Sequence, residues 1–239
     1  FAYQWYRDGK KIPGATQATY VQVPKDVGKR ITVKVSGSHE GYKSATKSSA
    51  SKPAKTAKAA LDRPAGVAIT GIAQVGVPLE AGVDGAFGPD PVKVSYQWYV
   101  DGKAVKKATG TTFTPGASHV GKRVTVKVKG SKSGYVTLTL TSPKTAKVAK
   151  GEFTGSAEVA ISGAKVAVKT TASVTGLTPK PSSYSYRWMV GDKVVSTSAS
   201  YTPKSADAGK TLTVRITAKR AGYLNAILAD ESTQIQPAG

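Results

Sequence analysis

The chain has 239 residues and no cysteine, and its 35 lysines and arginines against 14 aspartates and glutamates give a net charge of +21 at pH 7. The lack of cysteine excludes a disulfide framework, a thiol nucleophile and a zinc–cysteine cluster. The charge favours an anionic neighbour, such as a wall polymer, a membrane surface, an acidic glycan or nucleic acid, although lysine on exposed strands also counters aggregation of all-β proteins.

One pattern occurs three times along the chain. Residues 3–10 read YQWYRDGK, residues 96–103 read YQWYVDGK, and residues 186–193 read YRWMVGDK. The alternation predicts a strand with one buried face, and the Asp-Gly or Gly-Asp pair that follows predicts a hairpin turn. Three copies predict three domains of an all-β protein, over residues 1–57, 58–148 and 149–239.

The elements of the first copy follow in a simple order. Residues 1–7 are a predicted strand, Asp8 and Gly9 a turn, and residues 19–23 a second strand. A tight corner is predicted at residues 26–29. It leads into residues 30–35, whose strict alternation predicts a half-buried strand.

Constant spacings indicate that the three copies arose by duplication. The distance from tryptophan to the corner glycine is 23 residues from Trp5 to Gly28, 23 from Trp98 to Gly121 and 21 from Trp188 to Gly209. The distance from that glycine to a Gly-Tyr pair is 13 residues from Gly28 to Gly41, from Gly121 to Gly134 and from Gly209 to Gly222. The tryptophan of each copy is therefore predicted to be a core residue.

The first copy lacks strands that the other two possess. Strand-like sequence covers residues 66–71 and 77–83 before the second hairpin, and residues 155–163 and 165–175 before the third. The first copy is therefore predicted to be incomplete, with the missing strands supplied by a preceding part of the protein or by a partner chain. Between copies, the lysine-, alanine- and proline-rich residues 52–58 and 143–150 are predicted to be semi-extended linkers.

The series YQWY, DGK, GAT, D-x-GK, V-x-V and GY resembles the immunoglobulin-like repeats of secreted and surface proteins of Gram-positive bacteria, actinobacteria especially. The resemblance covers essentially the whole chain. It implies tandem immunoglobulin-like β-sandwiches in an extracellular or cell-surface, non-catalytic part of a protein. The third copy departs from the series at Arg187, at Met189 and at the turn, Gly191-Asp192.

Catalytic chemistry is not predicted from the two histidines. His39 and His119 occupy different positions of the repeat, and neither has a serine elbow or an acidic partner. No pair of opposed carboxylates for glycoside hydrolysis is evident either. The chain is expected to have no catalytic residue and no enzymatic activity of its own.

Metal binding is not predicted from the aspartates. Asp84 and Asp90 flank a long loop, whereas Asp26 and Asp207 stand where a side chain would cap the corner turn by accepting backbone N–H groups. No metal ion and no cofactor are therefore expected.

The candidate ligand contacts are aromatic or basic. Tyr6 and Tyr99 lie on the strand face opposite tryptophan and could stack on sugar rings, although such a tyrosine more often covers the sheet. Phe87 lies in a loop peculiar to the second copy, residues 83–91, and could either contact a ligand or pin the loop to the sandwich. The candidate anion contacts share the linker tracts and are Lys52, Lys55, Lys58, Lys144, Lys147 and Lys150.

These observations predict a non-catalytic extracellular spacer and attachment module of a larger exported bacterial protein, bound to an anionic cell-wall polymer or polysaccharide. The alternative is a set of accessory polysaccharide-binding repeats of a secreted hydrolase whose catalytic domain lies outside this chain. The sequence contains no recognition helix, zinc finger or RNP-type motif, so specific nucleic-acid binding is not predicted. The sequence contains no run of about 18 apolar residues, so it predicts no transmembrane segment.

Overall fold

A computed structural model describes residues 1–50 and 52–238, which form an all-β protein of tandem immunoglobulin-like sandwiches. The strands fall into three groups along the chain, called here units one, two and three. No helix of the described residues is long and apolar enough to cross a membrane.

Unit one consists of one antiparallel sheet of four strands in the order β2-β1-β3-β4. The strands are β1 (Ala2–Arg7), β2 (Lys10–Lys11), β3 (Ile31–Gly37) and β4 (Ala45–Ser48). A 3₁₀ turn at Pro24–Asp26 precedes β3. No second sheet faces this one within residues 1–50 and 52–57, so unit one is an incomplete sandwich.

Unit two is a complete sandwich of two antiparallel sheets, ordered β5-β6-β9 and β11-β10-β7-β8. The strands are β5 (Gly66–Thr70), β6 (Leu79–Asp84), β7 (Lys93–Val100), β8 (Lys103–Ala104), β9 (Thr112–Phe113), β10 (Val124–Ser131) and β11 (Leu138–Thr141). Its 3₁₀ turn is Ala117–His119.

Unit three repeats this arrangement with sheets β12-β13-β16 and β15-β14-β17-β18, and β19 also pairs with β17. The strands are β12 (Glu158–Ile161), β13 (Thr170–Thr175), β14 (Ser183–Val190), β15 (Lys193–Ser196), β16 (Ser200–Tyr201), β17 (Thr211–Lys219), β18 (Ala226–Ile227) and β19 (Glu231–Gln234). Its 3₁₀ turn is Ser205–Asp207.

Two cores lie between the facing sheets of units two and three. Trp98 and Trp188 are 0% exposed and sit at the centre of these cores. In unit one, where no sheet faces β1 and β3, Trp5 and Val33 are only half-buried. The sequence around the tryptophan is nearly the same in units one and two, so the missing sheet accounts for the difference in burial.

The YQWY-DG motif of units one and two forms a hairpin in the larger sheet of each unit, between β1 and β2 and between β7 and β8. Asp101 and Gly102 have φ of 46° and 78°, the positive values that a two-residue primed turn requires. The Gln97 amide donates hydrogen bonds to the carbonyls of Trp98, Val105 and Ala108 at 2.9, 2.8 and 3.3 Å. The glutamine of the motif therefore fixes the returning loop of the hairpin.

The predicted strand over residues 19–23 is wrong. These residues have no strand pairing, whereas the corresponding β9 and β16 pair with β6 and β13 of the facing sheets. Since unit one contains no facing sheet, residues 19–23 have no neighbouring strand to receive their hydrogen bonds.

The predicted linkers are also different in the structure. Most of each linker is hydrogen-bonded to the preceding unit. Gly28 N–H donates to the carbonyl of Thr56 at 2.8 Å, and Gly121 N–H donates to the carbonyl of Val148 at 2.8 Å. Contacts with the next unit begin at Ala59, whose N–H donates to the carbonyl of Gly134 at 3.0 Å, and at Gly151, whose N–H donates to the carbonyl of Gly222 at 2.9 Å.

Only residues 57–58 therefore separate units one and two. Val75 N–H donates to the carbonyl of Ala149 at 3.1 Å, so that Lys150 alone separates units two and three. The Gln74 amide also donates to the Lys150 carbonyl at 3.0 Å. The connections are short extended bridges attached on both sides.

The Gly-Tyr pair of the repeat lies at these junctions. A β-carbon on Gly134 would lie 3.1 Å from Cα of Pro24, in the 3₁₀ turn of unit one. A β-carbon on Gly222 would lie 2.6 Å from Cα of Ala117, in the 3₁₀ turn of unit two. Glycine is required at both positions because the preceding unit packs directly on its backbone.

Candidate ligand-binding groove

The outer face of the larger sheet of unit two carries a basic and aromatic groove. Trp98 points into the core, so Tyr99, the next residue of β7, points outward. On β10, Thr125 lies opposite Tyr99, and Lys127 lies two residues further along the same face. On β11, Thr141 lies opposite Lys127.

These side chains surround a shallow groove of about 370 Å³. The lining residues are Tyr99, Asp101, Gly102, Arg123, Thr125, Lys127, Thr141, Ser142 and Lys144. Three of them are cations and one, Asp101, is an acid. The groove is therefore positively charged and offers the hydroxyl groups of two threonines.

Internal contacts leave most of this charge free. Oδ1 of Asp101 accepts the backbone N–H of Arg123 at 2.9 Å, and the Arg123 guanidinium donates through Nη1 to the carbonyl of Thr145 at 2.8 Å. Within residues 1–50 and 52–238, no acidic side chain forms an ion pair with Arg123, Lys127 or Lys144.

The tyrosine ring and a lysine act together in the groove. Nζ of Lys127 lies 4.8 Å from the centroid of the Tyr99 ring, a distance at which an ammonium is attracted to the ring face. The contact holds the charge beside the ring. An anionic group with an attached sugar ring would meet both groups at once.

Unit one presents the same combination. Nζ of Lys34 lies 5.2 Å from the centroid of the Tyr6 ring. Thr32 lies opposite Tyr6, and Ser48 lies opposite Lys34. The guanidinium of Arg30 donates to the carbonyl of Pro53, as that of Arg123 does to Thr145.

Unit three has lost this combination. Met189 stands in place of the tyrosine. Arg215, in place of Lys127, forms two hydrogen bonds to Asp230 at 2.8 and 2.7 Å, which neutralise its charge. Thr211 stands in place of Arg123. The third unit is therefore an internal comparison in which the face has neither the ring nor the free charge.

The six candidate lysines are all exposed. Lys144 lines the groove of unit two with Tyr99, so the structure brings two of the sequence candidates together. The tracts 52–58 and 144–150 align in sequence, which gives Lys52 the place of Lys144. Of the remaining four, Lys58 and Lys150 lie in the bridges between units. Lys55 and Lys147 pair with Arg30 and Arg123 of the preceding unit.

Sequence reasoning missed Arg123 and Lys127, although the pattern contained the information. In RVTVKV the valines face inward, so arginine, threonine and lysine share the outer face with Tyr99.

Phe87 packs into the core in the structure. It is 4% exposed and belongs to the core of unit two. A β-carbon on Gly130 would lie 2.5 Å from Cδ1 of Phe87, which shows how closely the ring covers β10. The ring anchors its loop to the sandwich, which is the other interpretation that the sequence allowed.

The three tryptophans share one hydrogen-bonding arrangement. Their indole N–H groups donate to backbone carbonyls of the hairpin loops, at 2.9 Å from Trp5 to Gln17, 2.9 Å from Trp98 to Gly110 and 3.1 Å from Trp188 to Ser198. The indole N–H is thus satisfied within each unit.

The corner turns are capped by side chains, and Asp26 and Asp207 have the capping role predicted from the sequence. Asp207 accepts the backbone N–H of Lys204 at 2.8 Å and the hydroxyl of Tyr201 at 2.6 Å. The Tyr201 hydrogen bond holds the pKa of Asp207 below its ordinary value. Burial and the bond to Asp207 raise the pKa of Tyr201 to about 12.

In unit two a histidine takes the place of the aspartate. Nδ1 of His119 accepts the backbone N–H of Gly116 at 3.0 Å, and the imidazole lies 5.5 Å from the ring of Phe113. Burial and the positive charge of Lys122 lower the pKa of His119. The neutral imidazole is therefore the capping form.

Acidification should destabilise unit two through this histidine. The unfolded chain binds a proton at His119 near pH 6.5, whereas the folded chain binds it only at lower pH, so stability falls as the pH drops below about 6.5. Thermal unfolding followed at pH 7.5 and at pH 5 should show a lower melting temperature for unit two at pH 5.

The matched control is the double variant Phe113→Tyr/His119→Asp, which restores the tyrosine–aspartate cap of the other units. Its unit two should lose the acid sensitivity over this range. Equal sensitivity in both proteins would contradict the assignment.

Within the described part of the chain, no three histidine, aspartate or glutamate side chains come together in a way that could hold a metal ion.

No protein-family model matches the chain, and no curated protein matches it by sequence. Among solved structures, it is similar to three N-terminal domains of the highly immunogenic outer capsid protein of bacteriophage RB49, at 20% identity over 72% of this chain and 59% of that chain, with a TM-score of 0.30. It is also similar to a Ca²⁺-stabilized adhesin with which an Antarctic bacterium binds ice, at 12% identity over 99% and 65%, with a TM-score of 0.33.

A third similar structure comprises the FN1–FN3 domains of chicken CNTN1, at 12% identity over 98% of this chain and 88% of that chain, with a TM-score of 0.29. The chain spans less than two thirds of the length of the first two structures. The likeness is one of fold and is low in identity and TM-score. The resemblance to repeats of Gram-positive bacteria rests on the sequence motifs alone.

Proposed function

We propose that the chain is a non-catalytic extracellular spacer and attachment module of a larger exported bacterial protein, and that it binds an anionic cell-envelope or extracellular polymer. The observation that carries the proposal is the groove of Tyr99, Arg123, Lys127 and Lys144, which combines an outward aromatic ring with three cations that form no ion pair among the described residues.

The chemistry of the groove matches an acidic polysaccharide. Carboxylate or phosphate groups accept charge-assisted hydrogen bonds from Arg123 and Lys127. A sugar ring presents a flat C–H face to tyrosine and hydroxyl groups to Thr125 and Thr141. The occurrence of the same groups around Tyr6 gives a second site on the same array.

The spacer role is supported by the short bridges between units. One or two residues separate the hydrogen bonds to one unit from those to the next, and the Gly-Tyr loops pack on the preceding unit. A module of this kind holds its binding faces at a set distance from whatever is attached at its ends.

Binding should be measured with polygalacturonate as the acidic polymer and dextran as the neutral one. The variant Arg123→Gln/Lys127→Gln should weaken binding to polygalacturonate at least tenfold, since each charge-assisted hydrogen bond contributes roughly 1.5–3 kcal/mol. The matched control, Lys193→Gln/Lys219→Gln in unit three, removes the same charge at exposed positions and should change affinity less than about twofold.

Three results would contradict the proposal. Equal loss in both double variants would show that net charge alone attracts the polymer. Binding to polygalacturonate that is unchanged up to about 0.5 M salt would exclude a charge-driven contact, because the Debye length is then only a few ångströms. Salt-independent binding to dextran that is lost in Tyr99→Ala would favour the accessory polysaccharide-binding role beside a hydrolase.

A further inference from the structure

The two sheets of unit two carry opposite charge. The larger sheet has lysine in β7, β8 and β10 and no acid in any of its strands. The smaller sheet has no lysine or arginine in β5, β6 or β9, and its charged residues are Glu80 and Asp84 on β6. In a chain with a net charge of +21, the smaller sheet is therefore an acidic exception.

The two acids flank a shallow patch on the outside of the smaller sheet. Glu80, Gly82 and Asp84 point outward, because the residues between them pack in the core. Ala68 of β5 lies opposite Gly82, and a β-carbon on Gly82 would meet no heavy atom within 4 Å. These four residues are called here the acidic face.

Neighbouring units leave this face open. Unit two is preceded by unit one and followed by unit three, and both carboxylates are exposed. Ser173 and Thr175 hold the positions of Gly82 and Asp84 in unit three, and they are exposed although the complete unit two precedes them. Within residues 1–50 and 52–238, neither Glu80 nor Asp84 forms an ion pair.

The groove of unit two is the complement of this face in charge and in shape. Along β10, Arg123 and Lys127 flank Thr125, and Tyr99 lies opposite Thr125. The two cations are four residues apart along their strand, as the two carboxylates are along β6, which is about 13 Å in each case. The groove has a ring between two cations, and the acidic face has small residues between two acids.

We propose that the acidic face of unit two is a docking surface for the groove of unit two in a second copy of this chain, so that copies associate side by side. The argument for this occupant is the complementarity of charge at equal spacing. Each carboxylate would accept charge-assisted hydrogen bonds from one cation, and the Tyr99 ring would lie over Gly82 and Ala68.

Unit two is the best acceptor for the acidic face among the three units. Arg30, which holds the position of Arg123 in unit one, is half-buried, whereas Arg123 is exposed. Arg215 of unit three is already paired with Asp230. The two surfaces of the contact differ, so the contact is heterologous, and a dimer keeps one free surface of each kind.

Association should be weak, because the contact is small and consists largely of exposed charge pairs. We expect a Kd on the order of 0.1–1 mM. Sedimentation velocity of the whole chain without any polymer, in about 0.15 M salt, should show a sedimentation coefficient that rises with concentration up to about 1 mM. At this salt the Debye length is about 8 Å, so repulsion between distant charges is screened while pairs in contact still attract.

Charge reversal separates the two halves of the contact. Glu80→Lys/Asp84→Lys makes the acidic face basic, and Arg123→Glu/Lys127→Glu makes the groove acidic. Each variant alone should associate at least tenfold more weakly than the unaltered chain, because like charges then meet. An equimolar mixture of the two should associate again, because the intact groove of the first meets the intact acidic face of the second.

The matched control is Glu158→Lys/Glu231→Lys in unit three, which changes the net charge as much as the acidic-face variant does, at exposed positions outside both surfaces. It should associate like the unaltered chain. Unchanged circular dichroism of each variant shows that the fold is retained.

Four results overturn the proposal. An unaltered chain that stays monomeric at 1 mM has no such contact. Equal weakening in the control and in the acidic-face variant would show that net charge alone decides association. A groove variant that associates like the unaltered chain would place the acidic face against another surface. A mixture that stays monomeric would show that the two variants do not alter opposite halves of one contact.

Discussion

Replacing Trp98 with alanine should destabilise unit two by about 3–5 kcal/mol, which is a large part of the stability of a small domain. The side chain is 0% exposed, stacks on Phe113 with a centroid distance of 5.6 Å, and donates its indole N–H to Gly110. Truncation would remove these contacts and leave a cavity between the two sheets. Hydrogen exchange of the β10 amides, measured by mass spectrometry, reports on unit two without depending on tryptophan fluorescence.

Trp5→Ala is the comparison within the same chain. Trp5 has the same sequence neighbours and a similar indole hydrogen bond, but it is only half-buried because no sheet faces it. The loss in unit one should therefore be smaller, about 1–2 kcal/mol. A Trp98→Ala protein that keeps the stability of unit two and loses only polymer binding would show that the indole serves a ligand and not the core.

Replacing Asp26 with alanine should destabilise unit one by about 2–4 kcal/mol. Asp26 is 0% exposed and accepts hydrogen bonds from three directions: Val23 N–H at 2.7 Å, Tyr20 hydroxyl at 2.9 Å and Arg7 Nε at 2.5 Å. Alanine would leave all three donors without this partner. Chemical denaturation of the chain, followed by hydrogen exchange in β3, measures the change.

Two further results test the same network. Asp207→Ala should lower the stability of unit three by less, about 1–2 kcal/mol, because the corner of unit three has the tyrosine and the backbone donor but no arginine. Equal losses at Asp26 and Asp207 would show that Arg7 contributes nothing.

Burial alone would raise the pKa of Asp26, but the bonds from Val23, Arg7 and Tyr20 hold that pKa below its ordinary value. Unit one should therefore lose stability as the pH falls through 4 and below, where the unfolded carboxyl takes up its proton first.

Much of the fold follows from local sequence pattern. Alternation in β7, β10 and β14 identifies both the strands and their buried faces, since one face of each meets a core. Residues 19–23 also resemble a strand in sequence but form none, because a strand needs a neighbour and unit one lacks the second sheet. Pattern within a segment carries no information about whether a partner strand is present.

The site was harder to infer because its members come from four segments. Tyr99 and Lys144 were identified singly, but the register of β7 with β10 decides that Lys127 lies near the ring. The loop at Phe87 is peculiar to one unit, and its burial depends on the absence of a side chain at Gly130 across the sheet. The constant Gly-Tyr spacing was visible, whereas its cause lies in contacts between different units.

The shortness of the bridges between units affects how a polymer would be held. Two grooves on a flexible tether present a range of separations, and the second binding event then benefits from an effective concentration set by the tether. Residues 57–58 are too few to act as such a tether, so the Tyr99 groove and the equivalent face around Tyr6 would be offered at nearly one separation. If the chain binds a charged polymer as proposed, the avidity of the array would depend on the spacing of charges along that polymer. A polymer whose repeat matches would gain both contacts, and one whose repeat does not match would bind through a single unit.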